Sequence, residues 1–367
     1  MRIVCFGGFI DYQIHLANEL GKKERVTLVI PVNELPGEYS GAVNEEIDIH
    51  LLRREKPWYH PSSLNTLKDT VKKIRKFRPD VVHMQLGGGV IDLVLLPFFK
   101  RYPLVATFHD VRMHIGEESR QADFIRYWLR KYSDEIIVHG EKLREQMMRV
   151  YNLPGEKVHA IHIGEHEVAP FKKYERVDIK EEGNLILFFG RIYPYKGLEY
   201  LIKAEPLITK EVPNAKIVIA GAGGNFEKYE EMMGSRRESF IVHNYRIPYE
   251  EGAELFQRSS VVVLPYIQAS QSGVVPTAYG FKKPVVVTDV GSIPEIVDDN
   301  KTGFVVPPRD SQALAMAVVR LLKDEKLRKE MGENAYKKLK EDFSWDRIVV
   351  QTMEVYRKAI QIHKRIR

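Results

Sequence analysis

Leu187-Phe188-Phe189-Gly190-Arg191-Ile192-Tyr193-Pro194-Tyr195-Lys196-Gly197-Leu198 is the stretch that decides the fold. An unbroken apolar run from Leu185 ends at a glycine, a short loop carries one Arg and one Lys, and a helical pattern opens after Gly197. A strand that is apolar throughout, rather than alternating, is covered on both faces, as in a parallel sheet between two layers of helices. Such sheets bind ligands at the carboxyl ends of their strands, which is where Gly190, Arg191 and Lys196 fall. Arg supplies a planar fork, Lys a point charge and the following helix a partial positive charge, a set able to clamp a diphosphate. Two solvated cations fit the same spacing equally well.

The pattern repeats in both directions. Upstream, short β-branched runs stand at Arg25–Pro31, Pro79–Met84, Pro103–Thr107, Glu135–Val138 and Val158–Ile163, with amphipathic segments such as Ser62–Phe77 and Glu141–Val150 between them. Downstream, they stand at Lys216–Ala220, Phe240–His243, Val261–Pro265, Pro284–Thr288 and Thr302–Val306. The charge-dense stretch Glu165–Gly183, where no apolar period persists, reads as an interdomain hinge. The expectation is an α/β chain of two Rossmann-like, doubly wound parallel-sheet domains.

Length and charge agree. The 367 residues suit two domains. Hydrophobic residues at 44% and charged residues at 29% exclude disorder throughout. The single cysteine, Cys5, excludes an intrachain disulfide and a multi-cysteine zinc site, and implies a reducing compartment. A net charge of +6 permits anionic partners without indicating nucleic acid, which is not expected as a partner. No apolar run approaches membrane-span length, and Met1–Gly8 reads as a strand running into glycines rather than a signal peptide.

Other candidate residues lie at carboxyl ends too. Gly7 and Gly8 follow the first strand without a dinucleotide fingerprint, so a tight turn and a backbone approach to phosphate are equally open. Ser272-Gly273-Val274, followed by Thr277, exposes backbone N–H groups at a helix start, a weak anion-nest signal since every helix needs a cap. His109-Asp110 follow Pro103–Thr107; a lone histidine there is more often structural than functional. With no serine elbow and no His-x-x-x-His pair, a nucleophilic hydrolase and a metal site are not expected. The basic end of Trp345–Arg367 reads as a solvated helix terminus rather than a membrane contact. Two aromatic–basic stretches, Lys56-Pro57-Trp58-Tyr59-His60 and the helix with Phe124, Arg126, Tyr127, Trp128, Arg130 and Lys131, fit a membrane surface and a core-plus-solvent pattern about equally.

Taken in order, these features resemble the retaining glycosyltransferases of the GT-B architecture, the family-four (group 1) kind. The resemblance covers nearly the whole chain. It is strongest at Leu187–Leu201, at Val261–Val297 with its block Lys283-Pro284-Val285-Val286-Val287-Thr288, at Gly303–Pro307, and at Phe343-Ser344-Trp345. It implies an N-terminal acceptor domain, 1–170, completed by a C-terminal helix, 346–367, and a nucleotide-sugar domain, 171–345, facing a central cleft. It implies diphosphate binding by Arg191 and Lys196, a sugar contact by His109, and a donor site drawn from Gly7, Gly8, Gly190, Arg246, Ile247, Gln268, Ser272, Gly273, Val274 and Thr277. The implied activity is metal-independent hexosyl transfer, with retention, from a UDP- or GDP-sugar to a glycan or lipid-linked acceptor. No cofactor is implied. The implied location is the cytoplasm, with peripheral contact at the inner membrane face. One departure stands out: Ala269 and Thr277 occupy the positions of a glutamate pair found in many members, and Gln268 adjoins the first. That departure favours the rival reading, a non-catalytic subunit that binds a sugar nucleotide or glycan on the same fold, while the retained Arg191, Lys196 and His109 oppose it.

Overall fold

The computed structural model describes residues 1–32, 39, 41–53, 60–85, 89–114, 119–165 and 168–366. The stretch Lys56–Tyr59 lies outside the described residues. The chain forms two compact units. The first takes its residues from Met1–Val111, Ser119–Ile163 and Trp345–Arg367, the second from Arg112–Glu118 and Gly164–Ser344.

Unit 1 runs β1 (Arg2–Phe6), α1 (Ile10–Gly21), β2 (Arg25–Ile30), β3 (Asp48–Leu51), α2 (Pro61–Phe77), β4 (Val81–Gln85), α3 (Val90–Phe99), β5 (Leu104–Phe108), α4 (Arg120–Tyr132), β6 (Glu135–Val138), α5 (Glu141–Tyr151) and β7 (Val158–Ala160). Among the described residues the strands form one sheet in the order β3-β2-β1-β4-β5-β6-β7, every pairing parallel. The order reverses between β1 and β4, so the topological switch point of this sheet lies beyond Phe6 and Gln85. Leu67, Ile74, Leu95, Phe99, Leu129 and Met147 from α2–α5 fill one face of the sheet. On the other face lie Tyr12, Leu16 and Leu20 of α1 with Trp345, Ile348 and Tyr356, which come from the last helix of the chain.

Unit 2 runs α6 (Val168–Lys172), β8 (Leu185–Phe189), α7 (Leu198–Glu211), β9 (Lys216–Ala220), α8 (Glu227–Met233), β10 (Phe240–His243), α9 (Tyr249–Arg258), β11 (Val261–Leu264), α10 (Val274–Gly280), β12 (Val285–Thr288), α11 (Ile293–Ile296), β13 (Gly303–Val306), α12 (Ser311–Lys323) and α13 (Glu325–Asp342). Its sheet order, β10-β9-β8-β11-β12-β13, is again parallel and reverses between β8 and β11. Helix α14 (Trp345–Ile366) then returns to unit 1. The doubly wound α/β architecture expected from the sequence is therefore the one observed.

Two local differences have physical reasons. Strand β3, Asp-Ile-His-Leu, carries no apolar run because it is the sheet edge and is only partly covered. The stretch read as a hinge is packed: Val168 and Phe171 are buried, and Phe171 meets Phe189, Tyr249 and Phe256 edge-on. Glu181 in the same stretch accepts from Lys283 Nζ at 2.8 Å and from Arg328 Nε at 2.7 Å, which ties it to the body of unit 2. Most of the other charges in the stretch, including Lys173, Glu175, Arg176, Asp178 and Lys180, are exposed, so it is a solvated surface segment fixed to unit 2 by Phe171 and Glu181.

Candidate functional site

At the switch point of unit 2, β8 ends at Phe189 and the chain turns through Gly190, whose N–H donates to the Ala220 carbonyl at 2.9 Å. Gly190 adjoins Val274, where a Cβ on the glycine would sit 3.8 Å from Val274 Cγ2. Arg191 follows, exposed, its guanidinium 5.0 Å from the Tyr193 ring centroid. A single 3-10 turn, Pro194–Lys196, leads to Gly197 in the left-handed region at φ 64°. A Cβ on Gly197 would stand 2.0 Å from the Pro265 carbonyl oxygen, so only glycine allows this loop to lie on the end of β11. The Ile267 N–H donates to the Tyr195 carbonyl at 2.9 Å and fixes that approach. Lys196 is thereby held with its ammonium 3.8 Å from the centroid of the buried Tyr266 ring, a cation–π contact that orients the charge.

The second loop of this switch point follows β11. Gln268 is half-buried beside Tyr195, and Ser270 and Ser272 are buried. Ser272 Oγ accepts from the Val274 N–H at 3.3 Å, so that amide is engaged within its own turn. Thr277 is buried and its hydroxyl donates to the Gly273 carbonyl at 2.9 Å. Its proton is therefore committed to the helix backbone, and any contact with a ligand hydroxyl is as an acceptor. His114 also groups with this unit: its ring stacks on Tyr195 at 4.6 Å and its Nε2 lies 3.5 Å from Ser270 Oγ. Past β10, Asn244 Oδ1 accepts from the Gly223 N–H at 2.9 Å and Tyr245 donates to Glu251 at 2.7 Å, which braces the loop bearing exposed Arg246 and half-buried Ile247.

At the switch point of unit 1, Gly7 and Gly8 leave β1, and a Cβ on Gly7 would meet the Gln85 carbonyl oxygen at 2.4 Å. His109, just past β5, is 4% exposed. Phe9 stacks on it at 3.7 Å and Tyr12 meets it edge-on at 5.5 Å. Its Nε2 lies 3.0 Å from Gln85 Oε1 and its Nδ1 lies 3.1 Å from His139 Nε2.

Within unit 2 the structure gathers Gly190, Arg191, Lys196, Gln268, Ser272, Gly273 and Val274 around one switch point, with Arg246 and Ile247 in the loop after β10, the edge strand separated from β8 by β9. Within unit 1 it gathers Gly7, Gly8 and His109. Sequence reading overlooked Gln85, His139, His114 and Tyr266. The available signal was positional, since Gln85, His139 and Tyr266 each fall within two residues of a strand's carboxyl end. Among the described residues no three His, Cys, Asp or Glu side chains cluster to hold a metal ion. Among them, too, no helix is long and apolar enough to cross a membrane. Cys5 is buried in β1, where burial pushes its thiol up to about 12, so it is not a nucleophile at neutral pH.

Residues 171–338 match the family of glycosyl transferases group 1, and residues 6–164 match glycosyltransferase family 4. An uncharacterised glycosyltransferase of Methanocaldococcus jannaschii is 29% identical over 281 residues, covering 71% of each chain. The alpha-D-kanosaminyltransferase of Streptomyces kanamyceticus is 27% identical over 302 residues, covering 76% of this chain and 77% of its own. Anabaena HepE, solved in complex with UDP, superposes with a TM-score of 0.74 at 15% identity, over 96% of this chain and 99% of its own. That last likeness shows a shared fold.

Proposed function

The chain belongs to the group 1, family 4 glycosyltransferases, and from that membership we propose that it moves a hexose from a nucleoside diphosphate to a hydroxyl acceptor with retention of configuration. The observation that carries this reading is the loop Arg191–Gly197. It sets two cations at the carboxyl end of β8, beside the switch point, and anchors one of them on Tyr266. Departure of the leaving group breaks the bond between the anomeric carbon and a phosphate oxygen and leaves negative charge there. Arg191 and Lys196 meet that charge, the role a metal ion plays in other enzymes. The acceptor oxygen bonds to the anomeric carbon on the leaving-group face, and its proton passes to a phosphate oxygen, so no protein nucleophile is needed. His109 is assigned to the transferred sugar. Support for a nucleoside diphosphate comes from the HepE neighbour, which is in complex with UDP. The donor is assigned as a UDP- or GDP-sugar and the acceptor as a glycan or a lipid-linked glycan met at a membrane surface.

Purified protein with UDP- and GDP-sugars and candidate acceptors tests the assignment through nucleoside diphosphate release. Arg191→Ala and Lys196→Ala are each expected to slow release about 10²–10³-fold, with the thermal transition kept. Wild-type rates in both variants would refute it. A second reading rests on Ala269 and on Thr277, whose hydroxyl serves the Gly273 carbonyl: the chain binds a sugar nucleotide without turning it over. Stabilisation by a sugar nucleotide with no diphosphate release from any donor–acceptor pair would select that reading.

A further inference from the structure

Three buried side chains at the carboxyl ends of β4, β5 and β6 form a line of hydrogen bonds. His139 Nδ1 lies 2.9 Å from the Ile161 carbonyl oxygen, His139 Nε2 lies 3.1 Å from His109 Nδ1, and His109 Nε2 lies 3.0 Å from the Gln85 amide. His139 is 2% exposed and Gln85 is fully buried. Proton counting gives the line a direction. A backbone carbonyl only accepts, so His139 Nδ1 carries hydrogen and donates. In the neutral ring Nε2 is then bare and accepts, so His109 donates from Nδ1. That makes His109 Nε2 a bare acceptor.

The far end of the line is unfinished. Gln85 turns its carbonyl Oε1 toward that bare nitrogen, while its own Nε2 is buried without a partner. A half-turn of the amide places an N–H on His109 Nε2 in place of two facing acceptors, and amide orientation is assigned from such networks. One polar end of the Gln85 amide stays unsatisfied in either orientation. Beside it, across Gly7, Gln13 donates from Nε2 to the Phe6 carbonyl at 3.0 Å and keeps a buried, unpartnered Oε1. Two buried amides with unmet polar atoms flanking a glycine loop suit a ligand rich in hydroxyls, which both donate and accept.

We propose that His139 and Gln85 are positioning residues that hold His109 as its neutral Nδ1–H tautomer, with Gln85 resting on the Nε2 atom that a hydroxyl of the sugar substrate takes over. This rests on the assignment of His109 to the transferred sugar. Carbonyl-to-ring anchoring of this kind orients metal-bound histidines, where loss of the outer partner costs about 10–100-fold.

The test has a spectroscopic arm and a kinetic arm, both on the full chain. In the nitrogen-15-labelled protein at neutral pH, long-range proton–nitrogen spectra of the His109 ring should show Nδ1 protonated and Nε2 bare. A protonated Nε2 overturns the proposal. In the kinetic arm, UDP-glucose and a GDP-hexose serve as donor probes. His139→Leu should lower kcat/KM about 10–100-fold. His139→Gln, which can donate to the Ile161 carbonyl and accept from His109, should recover most of the loss. A fully active His139→Leu variant, or a His139→Gln variant no better than the leucine one, overturns the proposal. Should His139→Leu fail to fold, the wild-type ring spectrum and the activity of His139→Gln against wild type decide. A wild-type protein that turns over no donor would refute the proposed function, and the ring spectrum would still decide the tautomer.

Discussion

Gly197→Ala should damage both stability and turnover, and the loss can be worked from the loop geometry. The new methyl would sit 2.0 Å from the Pro265 carbonyl oxygen and 3.1 Å from its carbon. Ordinary carbon–oxygen contact begins at about 3.3 Å, so loop and strand end must part by roughly 1 Å. Alanine in the left-handed region costs about 1–2 kcal/mol, and overpacking costs about 1–3 kcal/mol more. The sum, about 2–5 kcal/mol, lowers the melting temperature of a unit this size by roughly 4–20 °C. Parting the two loops also breaks the Ile267-to-Tyr195 hydrogen bond and lifts Lys196 from Tyr266. A displacement of about 1 Å in a positioning group typically costs about 10²-fold in rate. Thermal unfolding and diphosphate release, measured on the same preparation, check the two effects together. Lowered stability with an unchanged rate would refute the claim that this packing positions a catalytic cation. An unchanged melting temperature would refute the close approach itself.

Three further outcomes are expected. Glu181→Gln removes the anion shared by buried Lys283 and Arg328; because Glu181 is itself 27% exposed, the loss should be about 2–4 kcal/mol, read as a lower urea midpoint. His83, between Tyr356 and Thr107, is driven down to about 3 by burial, with the nearby His139 adding to the effect. Its folded value lies below the unfolded one of about 6.5, so the unfolded chain binds more protons between them. The stability from a neutral His83 is complete above the unfolded value and drains away as pH falls from about 6.5 toward 3. His83→Gln should flatten urea stability across that window, and an unaltered slope would show that other groups govern it. Tyr356→Phe strips the hydroxyl 2.7 Å from His83 Nδ1 and should cost about 1–3 kcal/mol in thermal unfolding, while equal stability would mean the buried nitrogen finds another partner.

Strands, helices and their alternation were legible because hydrophobic periodicity is a local property. The runs Leu185–Phe189, Lys216–Ala220, Phe240–His243 and Glu135–Val138 are strands with the same limits in sequence and structure. Strand β3 escaped because an edge strand needs little apolar surface. Arg191 and Lys196 were legible as candidates because a glycine-ended strand followed by cations is a short-range pattern. Gln85 and His139 were not, since neither residue type signals anything without its partner.

By itself, then, the sequence determined two doubly wound units, the strand ends where ligands belong, and the cations on the Arg191–Gly197 loop. Tertiary structure alone decided which polar groups meet. His109 finds His139 30 residues away, Lys283 finds Glu181 102 residues away, and His83 finds Tyr356 273 residues away. These pairings follow from strand order and from where α14 returns. Burial then makes each one consequential, because a polar group cut off from water must be satisfied by whatever neighbour the fold supplies.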